Sequence, residues 1–170
     1  MPLTPEMKDV AEKLFAKEIE KINAETGAEL QRTIVDAHRR NILQSGIYLG
    51  NRVTVERARL KKVCEARANS YVRVLKEAGK GLEPADVEET VAAVSELASR
   101  IVENSTQNMI AVLKAANSPL GPEWAKGNLE TAKTSAIATI RRDLLIEQDM
   151  QKIRPAPAAG YSPQCGHGRS

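Results

Sequence analysis

Along most of the chain, apolar positions recur every three or four residues and the positions between them are charged or polar, the period of a helix with one buried side. Thr4-Pro5-Glu6 marks the first helix start: a capping hydroxyl, proline at the first helical position and acids in the first turn, where the helix dipole favours them. Val10, Leu14, Ile19, Ile22, Leu30, Ile34 and Ala37 then trace a stripe that predicts one long helix to about Ser45. Gly27, about 1 kcal/mol worse than alanine in a helix interior, leaves both a continuous helix and a kink or short break open. Gln44-Ser45-Gly46 predicts the helix end, with glycine at or near the left-handed capping position.

A second helix is predicted from about Arg52, with Val53, Leu60, Val63, Cys64, Tyr71, Val74, Leu75 and Ala78 on one side and Arg59, Lys62, Arg73 and Lys76 on the other. Gly79-Lys80-Gly81 stops it, and Glu83-Pro84 with Asp86 opens a third. The third segment, Pro84 to Ala116, has the clearest period: Val87, Val91, Val94, Ala98, Ile101, Ser105, Asn108, Val112 and Ala115 alternate spacings of four and three, the pattern of a bundle seam. Ser105 and Asn108 are its two polar members, as expected of a buried pair that fixes helix register, with a small ligand pocket in the bundle or solvent exposure at a frayed interface as the alternatives. Asn117-Ser118-Pro119-Leu120-Gly121-Pro122 ends it, and Pro122 opens a fourth helix carrying Trp124, Leu129, Ala132, Ala136, Ile137, Ile140 and Leu144 to about Lys152. The predicted fold is therefore all-α: an antiparallel bundle of about four long helices over residues 1–153, followed by a disordered Pro- and Gly-rich tail over 154–170.

Composition adds limits. The chain is 42% hydrophobic but only 3% aromatic, so aliphatic layers must fill the core. No window approaches the roughly 18 consecutive apolar residues of a membrane span, and the N-terminus carries no export signal, so cytoplasmic residence is the expectation. A net charge of +3 is too small to announce a polyanion binder. Locally the picture differs. Arg52, Arg57, Arg59, Lys61, Lys62, Arg67, Arg73 and Lys76 outweigh Glu56 and Glu65 on the second helix, while Glu83, Asp86, Glu88, Glu89, Glu96 and Glu103 outweigh Arg100 on the third. That complementarity predicts charge pairing between helices two and three. Arg57 and Arg67 fall toward the apolar side of their own helix, where snorkelling or ion pairing is expected.

Candidate chemistry is sparse. His38 lacks the Glu-x-x-His companions of bundle metal sites, Cys165 and His167 form no second ligand pair, and no phosphate loop, nucleophile elbow or catalytic carboxylate pair occurs. No catalytic, cofactor-binding or metal residue is assigned. The expected function is a helical protein–protein interaction or structural module, a homo-oligomer or the partner of another protein. Ile47, Tyr48, Leu145 and Ile146 are its candidate contact residues, being apolar beyond what one narrow seam needs. The alternative is nucleic-acid or anion binding through the basic second helix, using Arg39, Arg40, Arg59 and Lys62.

Overall fold

The computed structural model describes residues 3–154. They form four helices, α1 (Pro5–Arg39), α2 (Gly46–Glu77), α3 (Pro84–Ala115) and α4 (Pro122–Ile153), with no strand among the described residues. At 1.5 Å per residue each is roughly 50 Å long. The all-α bundle expected from the periodicity is the fold observed. The tail predicted beyond the bundle lies, from residue 155 onward, outside the described residues.

Capping chemistry explains most boundaries. The Thr4 hydroxyl accepts the Met7 N–H at 3.2 Å, with Pro5 as the first helical residue. At α3, the Glu83 N–H donates to the Asp86 carboxylate at 2.9 Å, and Pro84 follows as the first helical residue. Helix α1 passes through Gly27 unbroken, and no heavy atom crowds that glycine's missing side chain.

The first turn departs from expectation. Helix α1 ends at Arg39 rather than near Ser45, because Asn41, not Gly46, takes the left-handed conformation, with φ 54°. The Asn41 N–H donates to His38 C=O and the Ile42 N–H reaches back to Ala37 C=O at 2.9 Å, which satisfies carbonyls left over at the helix end. Asparagine tolerates this backbone better than other residues with a side chain. Gly46 instead starts α2, six residues ahead of the predicted Arg52, under a Ser45 cap whose hydroxyl accepts the Tyr48 N–H at 3.3 Å. Left-handed Gly79 and Asn117 close α2 and α3 through the same pair of hydrogen bonds.

Helix α2 is the hub. It packs against α1, α3 and α4, while α3 and α4 also pack on each other; among the described residues the backbone of α1 comes close only to that of α2. Side chains tie α1 to α3, through Lys8 and Glu89 at 2.7 Å. The core falls into two clusters. One holds Phe15, Leu60, Val63, Tyr71, Leu75, Val94, Leu129 and Ile140; the other holds Ala37, Tyr48, Leu49, Val53, Met109, Leu113 and Ala125. Between them sit Glu56 on α2 and Ser105 and Thr106 on α3, all buried.

The α3 seam also needs correction. Ser105 is buried, but Asn108 and Ala115 are exposed, and Thr106, Met109, Leu113 and Ala116 take the inward positions instead. Spacings of four and three average 3.5 residues, whereas a straight helix turns every 3.6, so a strict seven-residue pattern drifts off the buried face. The buried residues keep an eleven-residue period: Val87, Ala98 and Met109 form one row, and Val91, Val102 and Leu113 the next. On α1, likewise, Val10 is exposed while Ala11 and Phe15 face inward.

Candidate interaction surfaces

The basic face of α2 is largely occupied within the fold. Arg59 donates to the Asn23 side chain on α1 at 3.2 Å and lies 3.8 Å from Glu56. Lys62 pairs with Glu25 of α1 at 3.5 Å, and Lys76 with Glu147 of α4 at 3.0 Å. The acids of α3 find partners elsewhere: Glu89 on Lys8 of α1 and Glu88 on Arg141 of α4. Among the described residues no ion pair joins α2 to α3, so the predicted charge pairing between those two helices is not how they are held. Their polar link is the buried hydrogen bond from the Ser105 hydroxyl to the Glu56 carboxylate, at 3.2 Å. Net charge summed along a helix does not tell which face carries it, and α2 turns its basic flanks toward α1 and α4.

Two arginines expected on the apolar side of α2 separate. Arg57 is exposed. Arg67 is mostly covered: its guanidinium sits 5.0 Å from the Phe15 ring centre and 5.1 Å from that of Tyr71, and it pairs with Glu12 of α1. A guanidinium between two ring faces is attracted by both quadrupoles while its stem fills core volume. Its Nε and one terminal nitrogen are buried without a hydrogen-bond partner, a cost that this stacking offsets. Arg67 thus fastens α1 to α2.

The candidate contact residues also sort themselves by burial. Arg39 and Arg40 lie exposed at the α1 terminus, Arg40 3.5 Å from Asp36. Tyr48 is 7% exposed and belongs to the second core cluster, with Arg52 donating to its hydroxyl at 3.3 Å, so its ring is spent on the fold. Ile47, by contrast, is 57% exposed. It stands at the start of α2, about 40 Å along the helix axis from the α2 end that Lys76 and Glu147 tie to α4. Ile47 therefore does not share a surface with Leu145 and Ile146.

Those two belong to a larger apolar face. Leu145, Ile146, Met150 and Ile153 on α4 are 45%, 54%, 46% and 77% exposed. Residues 146, 150 and 153 repeat at four and three, so they line one side of the helix with Leu145 on its edge. Inward, the same helix buries Ala136, Ile140, Leu144 and Gln148. Gln151 anchors the end of α4 by accepting the Leu82 N–H at 2.6 Å. Met150 and Ile153 escape a sequence reading that closes the stripe at Leu144; the spacing onward from Ile146 is the signal that finds them. Together these side chains expose on the order of a few hundred Å² of apolar surface, comparable to the largest apolar patch of a typical folded chain, which is often a functional one.

Among the described residues no group of three or more His, Cys, Asp or Glu side chains could hold a metal ion, and Cys165 and His167 lie outside those residues. Cys64 is fully buried, and burial, helped by nearby Glu65, pushes its thiol up to about 11, away from the nucleophilic thiolate. A groove of about 530 Å³ between α1 and α2 is lined largely by Glu25, Glu29, Arg32, Arg59, Lys62 and small residues. No helix of the described residues is long and apolar enough to cross a membrane. In comparison with known proteins, the chain matches no family model, no curated protein and no solved structure.

Proposed function

We propose that the chain is a helical interaction module, without catalysis, which docks a protein through the outer face of α4. The observation that carries this reading is the run of four exposed apolar side chains, Leu145, Ile146, Met150 and Ile153, on one face of a helix whose opposite face is fully used by the core. An amphipathic helix is normally apolar on one side, and a second apolar stripe finds its use when another surface covers it. Rigidity supports the reading, since the Lys76–Glu147 and Gln151–Leu82 links hold this stretch of α4 against the bundle end and so present the stripe ready-formed.

Anion or nucleic-acid binding through α2 is the weaker reading. Arg59, Lys62 and Lys76 are already engaged by Asn23, Glu25 and Glu147, and Arg67 by Glu12. That leaves Arg57 and Arg73 as the exposed cations of that helix without an ion pair among the described residues. A photo-crosslinking residue placed at position 146 in the cell tests the α4 reading. The expected result is a defined protein adduct that disappears when Met150 and Ile153 are both changed to glutamate; absence of any adduct would overturn it.

A further inference from the structure

We infer that the occupant of the α4 face is a second copy of this chain, seated antiparallel about a two-fold axis that crosses the helix between Leu145 and Ile146. The inference rests on the docking role proposed above and adds the identity and register of the partner. It comes from charge as well as from apolar surface. Around the helix, Ala138, Arg142, Leu145, Ile146, Asp149 and Ile153 lie within one outward face, and all are exposed. Arg142 precedes the proposed axis by the same distance at which Asp149 follows it. An antiparallel copy therefore brings each Arg142 opposite the other copy's Asp149, twice in one contact.

The same operation sets Leu145 against Ile146 at the centre and Ile153 against the small side chain of Ala138 at each end, so bulk meets space where bulk would clash. A parallel copy would instead oppose Arg142 to Arg142 and Asp149 to Asp149. Among the described residues these charges have local partners on the helix surface, Asp143 for Arg142 at 3.4 Å and Lys152 for Asp149 at 3.0 Å. Such exposed pairs are weak and readily exchanged. A contact running from Ala138 to Ile153 spans about 22 Å of helix, and a symmetric, self-complementary patch is the commonest arrangement by which soluble chains associate.

Sedimentation equilibrium on the full chain between roughly 1 and 100 µM, with folding checked by circular dichroism, tests this. The wild-type chain should dimerise and Ile146→Glu should be monomeric while remaining folded. Arg142→Glu alone and Asp149→Arg alone should each weaken association by about tenfold, since each places like charges opposite one another twice. An equimolar mixture of these two variants should recover wild-type affinity as a heterodimer, because both of its charge contacts are then opposite in sign or restored by exchange of partners. A wild-type chain that stays monomeric throughout would overturn the self-pairing, and the adduct at position 146 would then report a different protein and leave the docking role standing. Dimers that ignore Ile146→Glu would overturn the assignment of this face. Loss without recovery on mixing would overturn the antiparallel register.

Discussion

Leucine lies on both sides of the bundle's working boundary, which allows one substitution to be compared in two environments. Leu60, on α2, is fully buried in the larger core cluster; Leu145, on α4, is 45% exposed. Leu60→Ala removes three carbons from the centre of a core that has few aromatic side chains to settle into the gap. At about 0.8 kcal/mol per buried carbon group the transfer loss is roughly 2.4 kcal/mol, and the residual cavity brings the total to about 3–5 kcal/mol. In a domain of this size that corresponds to a melting point lower by roughly 10 °C. Leu145→Ala should change stability by no more than about 0.5 kcal/mol. Urea unfolding followed by far-ultraviolet circular dichroism, below about 1 µM so that association adds nothing, measures both. Equal costs at the two sites, or a cost under about 1 kcal/mol at Leu60, would refute the assignment of inner and outer faces.

Two further outcomes follow from buried groups. Ser105→Ala leaves the buried Glu56 carboxylate without its hydroxyl donor and should cost about 1.5–3 kcal/mol, read by the same unfolding assay; no change would mean that Glu56 is satisfied otherwise. For Cys64, the folded-state thiol is raised to about 11 from an ordinary value of 9.0, so its contribution to stability is fully present below pH 9 and is lost as pH climbs toward 11. The stability difference between the wild-type chain and Cys64→Ala should therefore shrink by up to about 2 kcal/mol across that window, and a difference that stays constant would contradict it.

Much of this architecture is legible in the sequence, since proline, acid and hydroxyl signals at Thr4, Glu83 and Pro122 act over a few residues and need no tertiary context. The first turn is harder because two residues can supply the left-handed backbone, and Asn41 takes it ahead of Gly46. Asn108 reads as an inward residue because Ser105 and Asn108 continue an apparent heptad, while the helix itself turns at its own slightly longer period. The true polar neighbour of Ser105 in the core, Glu56, comes from a different helix, a pairing that no spacing within α3 could announce. Tyr48 reads as a surface residue because it sits beside a turn, although the chain folds it under the second cluster. The outer face of α4 is half-visible: Leu145 and Ile146 stand out as surplus apolar residues, the spacing of four and three from Ile146 places Met150 and Ile153 on the same side, and the burial of Ala136, Ile140 and Leu144 shows that this side faces outward.

Hydroxyl-radical footprinting of Met150 compares the dilute purified chain directly with the chain in the cell, using buried Met109 as an internal reference. If the α4 face is the docking surface, Met150 oxidises readily in the dilute protein and is protected in the cell, while Met109 stays protected in both; equal oxidation of Met150 in the two settings would contradict the account.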